Sequence, residues 1–282
     1  MNLNKLKVLV AAMIAVLLIS VSVRASEIDK RIKYSINNSY TFNTYLKDDS
    51  ITVQSKKGVV TLKGTIKEES HRLLAQETAA NIYGVKKVNN QLIFTGDFPA
   101  ENSDNFIEQK VKSALLFHRE INASKTEVYV KDGVVTLKGE AHNQARKELS
   151  GEYACDVEGV KAVKNEMTLA DNSKNTERTL DEKIDDASIT AQVKMALSFH
   201  RSTRGISANI STNNGVVTMA GKANNEAEKK MAGKLADDIK GVKNVINNIH
   251  ASDKPDRTFG QDTGEDNACG NEKDDANSCK IK

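Results

Sequence analysis

The sequence predicts an α+β protein made of three tandem copies of one small α-β-β-α-β module, each a three-stranded sheet with two helices on one face. Three observations predict it. A short motif recurs as Lys57-Gly58-Val59-Val60-Thr61-Leu62-Lys63-Gly64, as Asp132-Gly133-Val134-Val135-Thr136-Leu137-Lys138-Gly139, and as Asn214-Gly215-Val216-Val217-Thr218-Met219-Ala220-Gly221. A Gly-Val-Lys follows each copy, at 84–86, 159–161 and 241–243, always 26 residues after the motif's first glycine. Aromatics make up only 5% and Trp is absent, which under-supplies a single large core. The copies are offset by 75 and 82 residues, longer than solenoid repeats, so each is a domain with its own linker.

The elements follow in the same order in each copy. Ile107, Val111, Ala114 and Leu115, like Ile189, Val193, Ala196 and Leu197, lie on one face of a 3.6-period helix. Val128 and Val130 precede Asp132-Gly133, and Val135 and Leu137 follow it, which reads as a hairpin whose type I′ turn takes positive φ twice. Lys57-Gly58 fits that turn less well, and the first hairpin is expected to use another. A second helix carries Leu149, Ala154 and Val157 inward and ends at Gly84, Gly159 or Gly241, expected as left-handed C′ residues. A last strand alternates, as in Val163, Asn165, Met167 and Leu169, and lies parallel to strand two across a right-handed crossover. Gly64, Gly139 and Gly221 close the hairpin motif and join these as structural glycines.

The ends of the chain place it in a compartment. Lys5 and Lys7 precede an apolar run from Val8 to Ile19, and Val23-Arg24-Ala25 gives a small residue before the polar Ser26-Glu27. That pattern is a secretory signal peptide cut near Ala25, and the alternative is an uncleaved membrane anchor. The domain plan is therefore a signal peptide at 1–25 and modules at 26–97, 104–170 and 180–251. A disordered acidic tail at 252–282 completes it. Pro99 and Pro255 fall outside the modules. Three cysteines allow one internal disulfide, expected between Cys269 and Cys279 with Cys155 left as a free thiol. A formal charge of +3 is too small to argue for nucleic acid.

The Gly-Val-Val-Thr-Leu-Lys-Gly hairpin, followed by a helix and Gly-Val-Lys-x-Val-x-Asn, resembles the BON domain family. The resemblance covers about 28–96, 104–170 and 184–251, most of the chain after the signal. It implies a periplasmic envelope protein associated with phospholipid binding, envelope integrity or chaperone-like help to outer-membrane proteins. The first cysteine is Cys155, so no lipid-attachment cysteine stands at the expected cut.

No nucleophile elbow, phosphate loop, zinc-helix motif or paired carboxylates are visible, so neither catalysis, a cofactor nor a metal is expected. His118 and His200 share a column in Phe117-His118-Arg119 and Phe199-His200-Arg201. They read as ligands or a pH sensor, or as cations near a helix C-terminus, the reading favoured here. Asn90, Asn165 and Asn247 share a strand column, where structural hydrogen bonding is favoured over ligand binding.

One asymmetry separates the copies. The outer face of copy two's first helix holds Phe106, Gln109, Ser113 and Leu116, bordered by Lys110 and Lys112 and followed by Arg119. At the columns of Phe106 and Leu116, copy one has Arg31 and Thr41, and copy three Ser188 and Ser198. Phe106, Lys110, Lys112, Leu116 and Arg119 are therefore candidate contacts to an anionic phospholipid surface. The face reads equally as packing against a neighbouring repeat or tail. The function expected is non-enzymatic lipid-surface binding, and the alternative is a periplasmic holdase for unfolded client proteins.

Overall fold

The computed structural model describes residues 26–95, 103–170, 184–252 and 279–281. The expected signal peptide, the linkers, most of the tail and Cys269 lie outside them. The chain forms two compact units, Met1–Phe98 with Lys183–Ala191 and Pro99–Glu182 with Gln192–Lys282.

Module 1 opens with α1, residues 26–37, and a short α2, Tyr40–Thr44, capped by the Ser39 hydroxyl. The hairpin β1 (Ser50–Lys56) and β2 (Val59–Ile66), helix α3 (Glu69–Ala80) and strand β3 (Lys87–Phe94) follow. Module 2 runs α4 (Asp104–Phe117), a 3-10 turn, β4 (Thr126–Lys131), β5 (Val134–Ala141), α5 (Gln144–Cys155), and a third strand split into β6 (Ala162–Asn165) and β7 (Thr168–Leu169). Module 3 runs α6 (Asp186–Phe199), β8 (Ser207–Asn213), β9 (Val216–Ala223), α7 (Glu226–Asp237) and β10 (Asn244–Ala251). In each module the first two strands pair antiparallel and the third adds parallel to the second, as the order of elements requires.

The core positions follow the periodicity of the sequence. In module 2 the helix stripe Ile107, Val111 and Leu115 meets Val128, Val135, Leu137, Val157 and Val163 in one cluster of buried residues. Leu169, expected inward, is 52% exposed because the third strand breaks at Glu166-Met167 and resumes as a two-residue piece.

The first hairpin corrects an expectation. Lys57 and Gly58 have φ of 55° and 79°, matching Asp132-Gly133 and Asn214-Gly215, so all three hairpins share one turn. The reason lies in the first helix. Asp29 accepts the Lys57 N–H at 2.7 Å, the Gly58 N–H at 2.9 Å and the Ser55 hydroxyl. Asp104 does the same for Asp132 and Gly133. Burial works to raise the Asp29 pKa, but these hydrogen bonds outweigh it and hold the carboxyl below its ordinary value. Gly84, Gly159 and Gly241 do take positive φ, yet they are not C′ residues. The helices end at Ala80, Cys155 and Asp237, and the glycines turn the chain into the last strand. Gly64, Gly139 and Gly221 answer a closer constraint. A Cβ on each would lie within about 2 Å of a carbonyl oxygen where the first strand begins, that of Ser50, Lys125 or Ser207.

The asparagine column is structural. The Asn90, Asn165 and Asn247 amides donate to Arg72, Lys147 and Lys229 carbonyls on the second helix. Their Oδ1 atoms accept from the backbone amides of Leu92, Met167 and Ile249. Each asparagine ties strand to helix and satisfies an amide that would otherwise present an open sheet edge.

The disulfide expectation is overturned. Cys279 bonds to Cys155, not to Cys269, with the two Cα atoms 5.7 Å apart. A last strand, β11 (Lys280–Ile281), pairs parallel to β6 and sets Cys279 beside the end of α5. Cys155 is therefore not a free thiol, and the end of the chain is a strand of module 2 rather than part of a disordered tail. A bond closing a loop of 124 residues withdraws chain entropy worth roughly 4–5 kcal/mol from the unfolded state.

A non-glycine residue in the left-handed region costs about 1 kcal/mol, and asparagine tolerates it best. Lys57→Asn is therefore expected to stabilise the protein by roughly 0.5–1 kcal/mol in urea unfolding, while Asp29→Ala lowers stability because it frees two turn amides.

Candidate functional site

A helix leaves its last carbonyls without intrahelical partners. At the ends of α5 and α7 those carbonyls face the other module's Phe-His-Arg segment, and the two segments exchange places. Arg119 N–H donates to Asp238 O and Arg201 N–H to Asp156 O, both at 2.9 Å. Lys240 N–H donates to Phe117 O at 3.0 Å and Glu158 N–H to Phe199 O at 2.9 Å. The guanidinium of Arg119 donates to Asp237 O and, at 3.0 Å, to Val242 O. That of Arg201 donates to Cys155 O and, at 2.9 Å, to Val160 O. Isolated antiparallel bridges His118–Ile239 and Val157–His200 complete a self-complementary junction of modules 2 and 3.

The histidines sit at its centre. Both Nδ1 atoms accept a backbone N–H two residues ahead, from Glu120 and from Ser202. His118 is 3% exposed and packs edge-on against the Tyr153 ring, 4.3 Å between centroids. Burial pushes its pKa down to about 4, against the pull of Asp238 and Glu120 and with the help of Arg119 and Lys240. His118 is thus neutral, and it is the arginine beside it that neutralises a helix C-terminus, on the sibling's second helix rather than its own. Tyr153 donates to the Asp238 carboxylate, and burial followed by that bond pushes its pKa up. A cavity of about 20 Å³, room for a water-sized body, is lined by Ala114, His118, Tyr153, Phe199, His200 and Ile239. Among the described residues no three His, Cys, Asp or Glu side chains gather as a metal site.

The candidate lipid contacts on α4 are brought together only in part. Lys110 is 6% exposed, with Nζ 3.3 Å from Glu158 O and 4.7 Å from the centre of the Phe106 ring. Gln109 and Ser113 are buried, Phe106 and Leu116 half-buried, and Lys112 pairs with Glu108 at 2.6 Å. Arg119 is committed to the junction. Much of the outer face of α4 is thus buried. The corresponding face in the other unit behaves alike, since Thr41 and Ser188 are fully buried and the Thr41 N–H donates to the Ser188 hydroxyl at 3.0 Å.

Module 1 has Asn43-Thr44 where its siblings have His-Arg, and its matching end is different in kind. Asp29 brings the first turn of α1 to the hairpin turn, and Lys86 N–H donates to Gly58 O at 2.8 Å. A Cβ on Gly84 would lie 3.5 Å from Ile28. These contacts gather three segments at one end. Tyr83, at the column of Glu158 and Lys240, is 97% exposed there and Ile28 41%. Lys30, Arg31, Lys56, Lys57, Lys86 and Lys87, on the same three segments, are also exposed. Sequence reasoning missed this end; the signal available was the aromatic at Tyr83 where both siblings are charged.

Comparison with known proteins agrees with this architecture. The BON domain matches residues 26–96, 103–171 and 185–253. The chain belongs to the BON domain family, with three such domains in tandem. It is similar to "Osmotically-inducible protein Y" of Escherichia coli (strain K12), 29% identical over 58% of this chain and 79% of that protein. It is also similar to an "Uncharacterized protein in gshII 5'region" of Anaplasma centrale, 31% identical over 48% of this chain and 85% of that one. Among solved structures, the C-terminal domain of CdsD, "the structural protein of the Type III secretion system of Chlamydia trachomatis", aligns at 14% identity and a TM-score of 0.21. That alignment covers 78% of this chain and 95% of that chain.

His118 fixes a pH dependence. The unfolded chain binds a proton at His118 near pH 6.5 and the folded chain only near pH 4, so stability falls as pH drops through that window. The loss is bounded by about 3 kcal/mol, from 1.36 kcal/mol per unit. Urea unfolding of the parent and His118→Phe between pH 7 and 4 should show the variant with the flatter dependence.

Proposed function

We propose that this chain is a non-enzymatic envelope protein, exported to the periplasm, that rests on anionic phospholipid surfaces through the basic, aromatic end of module 1. The observation that carries the reading is Tyr83, 97% exposed, with Ile28 and several lysines also exposed on the segments that meet there, at an end that modules 2 and 3 spend on each other. An amphipathic aromatic suits the headgroup boundary, and each basic residue near an anionic surface contributes about 1 kcal/mol.

Other features support the setting. The disulfide between Cys155 and Cys279 is of the kind that persists in oxidising compartments. The N-terminal run has the form of an export signal, and no described helix is long and apolar enough to cross a membrane. The likeness to an osmotically inducible protein supports a role under osmotic or envelope stress.

Flotation with vesicles of phosphatidylcholine, with and without phosphatidylglycerol, tests the reading. Tyr83→Ser with Lys86→Glu and Lys87→Glu is expected to lower binding to anionic vesicles at least tenfold, and raised salt to weaken the parent. Phe106→Ser with Leu116→Ser should leave binding within about twofold. Loss confined to the α4 pair would move the site to module 2. No vesicle binding, together with suppressed aggregation of an unfolded client, would replace the lipid reading by the holdase one.

A further inference from the structure

The chain's own end shows what the outer edge of a third strand can hold. β11 lies parallel to β6, with Lys280 opposite Ala162 and Ile281 opposite Val163. Ile281 sits over Gly151 of α5, where a Cβ would be 3.6 Å from its Cγ2. With the strand seated, Val163 is fully buried.

Among the described residues, module 3 has the same seat without a strand in it. Gly233 occupies the column of Gly151 in α7, and β10 is an edge of its sheet among the described residues. Val245, at the column of Val163, is only half-buried, and the next residue, Ile246, is 43% exposed. Glycine inside a helix costs about 1 kcal/mol relative to alanine. The neighbouring asparagine does not by itself require it, because module 1 has Gln76 in that column beside Asn90, with the two side chains 3.4 Å apart. In module 2 the space over the glycine is filled by an aliphatic side chain from an added strand. Over Gly233 a Cβ would meet only the Asn247 side chain, 3.0 Å from its Nδ2, and no aliphatic side chain of the described residues.

We infer that the outer edge of β10, over Gly233, is a strand-addition site for an extended polypeptide segment of another molecule. One difference between the seats selects its chemistry. The column of Cys155, which reaches residue 279 of the seated strand, is in module 3 the exposed Asp237. The segment that fits carries a lysine or arginine at that position and a β-branched aliphatic two residues later, over Gly233. Asn247 already holds the Ile249 amide, so pairing is confined to the first half of β10.

The probe is a labelled peptide, Ala-Asn-Ser-Arg-Lys-Ile-Lys, which is the C-terminal sequence with arginine in place of Cys279. Its binding to the oxidised full-length protein is read by anisotropy, and its place by amide exchange. The Val245 amide, which faces the outer edge, should slow on binding. Aspartate in place of the peptide's isoleucine should abolish binding, and serine in place of its arginine should weaken it about fivefold, as expected of one exposed ion pair. Asp237→Lys should reverse the preference, weakening the arginine peptide about tenfold and favouring a glutamate one. Gly233→Leu should block both peptides, with its fold checked by circular dichroism. If that variant does not fold, Asp237→Lys alone decides. Equal binding of the isoleucine and aspartate peptides, indifference to Asp237→Lys, or no protection at Val245 would each overturn the site.

Discussion

The carbonyls left over at the end of each module's second helix set the terms for the rest of the molecule. A helix cannot satisfy them itself, and a module of this size has little spare chain with which to do so. Modules 2 and 3 answer the problem reciprocally, each lending an arginine and a short backbone bridge to the other's helix end. The junction encloses the His118 imidazole and the Tyr153 ring, and burial keeps the imidazole neutral. Charge at that place comes from guanidinium, which stays protonated wherever it is buried.

The same constraint explains why module 1 differs. With Asn43-Thr44 in place of His-Arg it has nothing to exchange, and its own second helix ends without the aspartates of its siblings. Asp156 and Asp238 lie next to the partner's His-Arg segment; Asn81 at the same column does not invite a cation. One repeated scaffold is thus used for cohesion in two copies and left open in the third. The divergence is carried by a few side chains on an unchanged backbone.

The strand edges show a second economy. An open edge invites unwanted pairing, and each module limits it with one asparagine that bonds its own strand and the helix behind it. Among the described residues, what remains open is the first half of the third strand. In module 2 that half is filled by the chain's own end and fixed by a disulfide. The tail that composition marks as disordered therefore returns to the fold at Cys279, because two residues of strand and one sulfur bridge suffice to hold it.

The sequence by itself determined the modules. Turn glycines, helical stripes and the fixed distance to Gly-Val-Lys are local signals, and local signals survive without knowledge of what lies across the fold. Ile107, Val111 and Leu115 are buried as their spacing requires, and the positive-φ glycines stand where the motif put them. Tertiary structure decided whatever depended on a distant partner. Lys57 accepts a left-handed turn because Asp29 pays for it from another element. Cys279 meets Cys155 across 124 residues, and the lysine and arginine expected to face lipid are spent on Glu158 and on α7. A side chain's pattern along the chain tells which face it occupies; only the fold tells what that face meets.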